Sequence, residues 1–189
     1  LHLLGPGWYP LSPQFPLGDR FVLTFDLGVD PETAVASGAL DDRGRWVQRN
    51  RSYVGAIAVG PYRRFEARGH EAYVPPGAGI APDLVFSTIE RAIEVLEPLL
   101  GPSPYRSIKA VAIADGTPAA IGPQATMLLP VPIWELDELT ARVVAHELAH
   151  QWFFNTIAIS EDDDAWLSEA FAEYAATVVS RARTGDDAH

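Results

Sequence analysis

Residues 146–150 read His146-Glu147-Leu148-Ala149-His150, and eighteen residues separate His150 from Glu169 in Trp166-Leu167-Ser168-Glu169-Ala170-Phe171-Ala172-Glu173-Tyr174. Side chains four apart on a helix share a face, so His146 and His150 can aim imidazole nitrogens at one metal ion. Glu147 sits between them without being a ligand. A zinc ion in a catalytic site keeps three protein ligands and an open position for water, and two histidines with a distant carboxylate are such a set. Glu169 is the natural third ligand. The surroundings supply the helices: residues 136–153 carry Leu136, Leu139, Val143, Val144, Leu148 and Trp152 at helical spacing. Residues 166–183 contain no Gly or Pro and repeat Leu167, Ala170, Phe171, Tyr174 and Val178 with the same period.

Outward from this pair, the pattern changes toward the N-terminus. Residues 82–100 form an amphipathic helix through Phe86, Ile89, Ile93 and Leu96, closed by Gly101-Pro102. In the run 108–114, Ile108, Ala110, Ala112 and Ala114 alternate with Lys109, Val111 and Ile113, which reads as a strand buried on both faces. Further upstream, short apolar or alternating runs at 21–27, 34–40, 46–48, 53–59 and 63–67 read as strands, separated by Asp-Pro, Asp-Asp-Arg-Gly and Gly-Pro turns. Residues 1–18 are rich in proline and glycine and form an irregular lead-in, with Trp8 and Tyr9 packed on the body. Pro75-Pro76-Gly77-Ala78-Gly79 marks a boundary. The fold class is α+β: a β-rich part over 1–74, then a lobe over 75–189 with a mixed sheet and the metal-binding helix pair.

The block His146-Glu147-Leu148-Ala149-His150-Gln151-Trp152-Phe153-Phe154-Asn155, with Trp166 to Tyr174 after it, resembles the aminopeptidase N family of gluzincin metallopeptidases. That family's pattern is H-E-L-x-H-Q-W-x-x-N followed by W-L-N-E-G-F-A-x-Y; Ser168 and Ala170 stand where it has Asn and Gly. Residues 19–40 resemble the closing strands of the family's N-terminal β-domain, residues 51–65 the strand pair that leads out of it, and Pro104-Tyr105-Arg106 followed by 108–114 its first catalytic-domain strand. The resemblance implies a thermolysin-like upper lobe preceded by the tail of a β-domain. It also implies a lower helical lobe as partner, a peptide substrate and a zinc cofactor. The family's G-x-M-E-N glutamate holds the substrate's amino terminus, and here Leu128 stands in its place. An apolar side chain cannot pair with an ammonium group. No Tyr follows Tyr174, so the family's transition-state tyrosine is expected outside the chain; Tyr174 matches a structural tyrosine. In peptidases of this kind a sheet edge beside the zinc helix pairs with extended substrate, and Thr126, Met127 and Leu128 are either such an edge or a plain core strand.

The implied chemistry assigns each residue a task. Zinc held by His146, His150 and Glu169 lowers the pKa of a bound water, and Glu147 is the general base. Glu173, one turn beyond Glu169, either fixes the tautomer of a ligating histidine or is a surface carboxylate. Asn155 caps or braces the end of the zinc helix. The expected function is zinc-dependent peptide hydrolysis. The alternative is a zinc-binding or peptide-binding module of the same fold that does not catalyse.

Composition bounds the rest. A net charge of −11, with one lysine among fourteen basic residues, opposes a nucleic-acid surface. Absence of cysteine excludes disulfides and thiolate metal sites and leaves the compartment open. No apolar run reaches the roughly 20 residues that span a bilayer, so no membrane contact is expected within this chain. The opening at Leu1, without an initiator Met, reads as an excised fragment. Glu161-Asp162-Asp163-Asp164 reads as a solvated acidic loop ahead of the second helix, with a calcium site as the lesser alternative. Arg43, Arg45, Arg49 and Arg51, around Trp46, read as the outer face of a hairpin.

Overall fold

The structure, a computed structural model, describes residues 2–4, 21–50, 55–113, 120–135, 137–157 and 164–184. In chain order these form β1 (His2–Leu4), β2 (Phe21–Phe25), β3 (Ala34–Ala36), β4 (Ala39–Leu40), β5 (Trp46–Asn50), β6 (Ile57–Val59), β7 (Arg63–Ala67) and β8 (His70–Val74). Then come α1 (Asp83–Leu100), β9 (Lys109–Ile113), β10 (Thr126–Pro130), α2 (Asp137–Ala149) and α3 (Ala165–Thr184), with a 3₁₀ turn at Val131–Trp134 before α2. The architecture is α+β. Trp8, Tyr9, Arg51, Ala114, Leu136 and residues 161–163 of the acidic run lie outside the described residues.

Four strands make the central sheet, in the order β10-β9-β8-β7, with β7–β8 antiparallel and β8–β9 and β9–β10 parallel. Alternation along these strands separates two cores. Ala72, Ala110, Ala112, Met127 and Leu129 face α1, α2 and α3, packing with Phe86, Ile89, Leu96, Val144 and Leu148. Tyr73, Val111, Ile113 and Leu128 face the opposite way, onto Phe25, Val35, Trp46 and Ile57 of the β-rich layer. A strand buried on both faces is the reading the run 108–114 invites, and all of β9 is buried. Its first residue is the exception in kind: Lys109 is fully buried on the β-rich side. Its Nζ donates to the carbonyl of Ala36 at 2.8 Å and to that of Gly38, and sits 3.8 Å from the Trp46 ring centroid.

Several expected elements differ. The run 34–40 is two strands, because Gly38 turns at φ 89° with Val47 too close to admit a Cβ; β3 joins β1 and β6, and β4 joins β5 and β2. The strand β8 is absent from the pattern reading because its first two residues, His70 and Glu71, are polar. Its cue is the two-residue turn Arg68-Gly69, at φ 56° and 80°, a hairpin conformation matched to strand twist. Through β7 and β8 the central sheet spans the expected division between 1–74 and 75–189. The zinc helix was expected to run to residue 153 but ends at Ala149. Gln151 N–H turns to Leu148 O, Phe153 N–H to Ala149 O and Phe154 N–H to Ile157 O, and Phe154 takes φ 88°.

Candidate metal centre and cleft

His146 lies on α2, His150 follows in its closing turn with its N–H 3.3 Å from His146 O, and Glu169 projects from α3. The packing of α2 against α3 brings the three side chains together, with one donor atom from each within 4.8 Å of the others. His146 Nε2 lies 3.3 Å from Glu169 Oε2, and His150 Nε2 lies 3.5 Å from Glu169 Oε1. Ligands about 2.0–2.2 Å from a tetrahedral zinc stand about 3.3–3.5 Å from one another, and the two His–Glu169 separations fall in that range. Among the described residues no other His, Cys, Asp and Glu group is so arranged.

Each histidine uses its other nitrogen on a neighbour. His146 Nδ1 is 3.4 Å from Glu173 Oε2, and the other oxygen of Glu173 is paired with the Arg142 guanidinium. His150 Nδ1 is 3.4 Å from Ser168 Oγ. These contacts orient both rings with Nε2 toward the common point. The hydrogen bond from His150, against the cost of its own burial, holds the Glu169 carboxyl below the usual range. Burial depresses the His150 imidazolium, but Glu169 and Glu147 outweigh it and the net shift is upward.

Glu147 is 6% exposed and makes no part of the donor set. Burial pushes its carboxyl up to about 7, with His150 pulling down and Glu169 adding to the rise. It faces a stretch that pattern reading left unassigned, residues 120–122, which forms one wall of a cavity of about 700 Å³ over the donor set. A Cβ on Gly122 would stand 2.9 Å from Glu147 Oε2 and 2.7 Å from Glu147 O, so only glycine permits this approach. Asn155 Nδ2 ties the wall to the helix end, donating to Gly122 O at 2.7 Å and His150 O at 2.8 Å. Gln151 Nε2 reaches the carbonyls of Gly122 and Pro123. Ile133, Leu139 and Val143 supply an apolar flank beside His146.

Thr126, Met127 and Leu128, read as either a substrate edge or a plain core strand, lie in β10, which pairs with Ile121. Thr126, Met127 and Leu128 are buried, and the Leu128 N–H and C=O are both taken by Ile121, at 2.8 and 3.1 Å. The Thr126 N–H is spent on Pro123 O at 3.0 Å. The strand therefore lies behind the wall, and Ile121 faces the cleft where Leu128 was expected. The signal available in the sequence was Gly122-Pro123, a break that separates the short wall from β10. Of the basic cluster, Arg45 is paired with Asp41 at 2.8 Å on the β4–β5 turn, while Trp46 between them is buried beneath Lys109.

Residues 126–188 match the Peptidase family M1 domain. Over 80 residues the chain is 40% identical to endoplasmic reticulum aminopeptidase 2 of Homo sapiens, a match covering 38% of this chain and 8% of that protein. Over 37 residues it is 54% identical to aminopeptidase N of Homo sapiens, covering 20% and 4%. The matched segments thus span less than a tenth of the length of these relatives. In three dimensions it resembles the M1 zinc metallopeptidase from Deinococcus radiodurans, with a TM-score of 0.65 over 94% of this chain and 44% of that one at 22% identity, a likeness of fold. The α+β lobe, with paired helices that converge two histidines and a glutamate, shares its fold with that metallopeptidase structure. Residues 126–188 match peptidase family M1, and together with the relatives and the fold they support an aminopeptidase N-like gluzincin family.

Proposed function

We propose that this chain is the metal-binding core of a zinc-dependent peptide hydrolase of the aminopeptidase type. The observation that carries the reading is the convergence of His146, His150 and Glu169, one donor atom from each within 4.8 Å of the others, with the buried carboxylate of Glu147 beside them. His146, His150 and Glu169 would hold the ion. Bound there, zinc supplies Lewis acidity toward a water molecule and a substrate carbonyl.

The chain's own groups do the rest. Glu147 accepts a proton from water entering the cleft and passes it to the leaving amine, a task suited to a carboxyl poised near neutral pH. Glu173 and Ser168 keep the imidazoles turned so that both Nε2 atoms face the ion. Asn155 and Gln151 hold the wall at residues 120–122 against Glu147, which narrows the cleft around the reacting bond. An extended peptide lies along that wall rather than along Thr126, Met127 and Leu128. Ile121 offers no charge to a substrate's amino terminus, so the amine is held by other groups.

The unit that carries the site is taken to begin with the β7–β8 hairpin, with the preceding strands as the tail of a β-domain. The rest of the parent protein supplies the facing lobe, as the length of the curated relatives supports. Elemental analysis tests the reading first. One zinc per chain is expected, lost in His146→Ala and kept in Glu147→Gln. In the full-length parent, Glu147→Gln should lower peptide hydrolysis by about 10²–10⁴-fold. A folded chain that neither contains nor takes up zinc would overturn the proposal.

A further inference from the structure

Phe154 adopts φ 88°, in the left-handed region that bulky L-residues avoid. The other described non-glycine residues at positive φ are Arg68, in the β7–β8 turn, and Ala125, at the entry to β10. The loop around Phe154 dictates its conformation. Phe154 N–H donates to Ile157 O at 2.8 Å, Ile157 N–H to Trp152 O at 2.8 Å, and Asn155 N–H to His150 O at 3.1 Å. Phe153, the preceding residue, is stacked on Phe171 of α3 with centroids 4.9 Å apart and planes at 15°. Whatever residue occupies position 154 must accept this backbone. Glycine would do so without strain.

The phenyl ring is not there for the core. Phe154 belongs to neither apolar cluster and is half-buried, whereas Phe153 packs on the helix-side core. Its ring lines the cleft and meets the His150 ring edge-on, with centroids 6.4 Å apart and planes at 71°. Ile121 and Gly122 line the same cavity, and a Cβ on Gly122 would stand 3.3 Å from His150 Cβ. A phenyl ring can neither hold a metal nor carry a proton. It can present a flat apolar face to a bound group, and strain kept at such a position points to use of that face.

We propose that Phe154 is a specificity-determining residue, its ring forming with Ile121 a platform beside His150 that selects an aromatic or large aliphatic substrate side chain next to the scissile bond. The inference rests on the zinc-peptidase reading of the same site. Phenylalanine hydroxamate and alanine hydroxamate separate the two, because both present a metal-binding group and differ only in the side chain. Titrated by calorimetry into the zinc-loaded chain, the phenylalanine compound should bind about tenfold more tightly. In Phe154→Gly, and in Phe154→Asn, which also tolerates positive φ, the preference should fall below about threefold while alanine hydroxamate binds as before. Neither variant should melt more than about 5 °C below the parent, since relief of backbone strain offsets the lost contact. Equal affinities in the parent, a preference retained by both variants, or a larger fall in melting temperature in both would each overturn the platform alone. Failure of both hydroxamates to bind the zinc-loaded parent would overturn the site reading and the platform with it.

Discussion

His146 meets two demands on one ring, with Nε2 toward the donor centre and Nδ1 toward Glu173, whose second oxygen is anchored by Arg142. Through this run of contacts a residue one turn beyond Glu169 reaches the donor centre without being one of the donors. Removing the carboxylate in Glu173→Ala frees the imidazole to rotate and to change tautomer, so zinc affinity should fall by about 10–100-fold with the fold intact. Competition against a chelator reads this directly; an unchanged affinity would assign Glu173 to the surface. Of the candidate site, the approach of His146 to His150 was legible in the sequence because helical spacing converts directly into a shared face, whereas Glu169 comes from another helix and was read from its motif. The role of Glu173 was not decided by spacing, since the same spacing serves a solvated carboxylate equally well.

At the scale of elements, the helices were easier to read than the strands, and the reason is physical. The period of α1 and α3 extends over many turns, so a single polar interruption does not hide it. Strands of three to five residues carry only one or two alternations, and β8 begins with His70 and Glu71, both committed to partners elsewhere: His70 Nδ1 accepts from Ile108 N–H at 3.2 Å, and Glu71 pairs with Arg64 at 3.0 Å. The cavity wall at residues 120–122 went unread for a related reason. Three residues, 120–122, have no period, and their importance lies in a tertiary approach between Gly122 and Glu147. Gly122→Ala tests that approach. The added methyl must displace the wall or the carboxylate, at a cost of about 1–3 kcal/mol in stability. Turnover in the parent protein should fall while zinc content is unchanged. A variant of full stability and activity would show that the wall is not held against Glu147.

Across the whole molecule, one sheet separates two cores, and the β-rich layer is bound to its far face by polar contacts as well as apolar ones. Gly38 N–H donates to Gln124 O at 2.9 Å, and Arg49 N–H donates to Gln124 Oε1 at 2.6 Å, so the β-rich layer grips the chain two residues past Gly122. The α+β class was legible from the change of period along the chain, but this seam was not, because nothing in a strand pattern says which carbonyls a lysine will find. Burial draws the Lys109 ammonium well below its ordinary range, with Glu71 acting against the shift. Lys109 is also the chain's only lysine. Amine-acylating reagents therefore have no side-chain target within residues 1–189 until the β-rich layer parts from the sheet. Mass spectrometry of acetic anhydride-treated protein should find Lys109 protected in native buffer and modified in urea, making its labelling rate a clock for the opening of that seam, and equal rates in both would mean that the layer is not seated there.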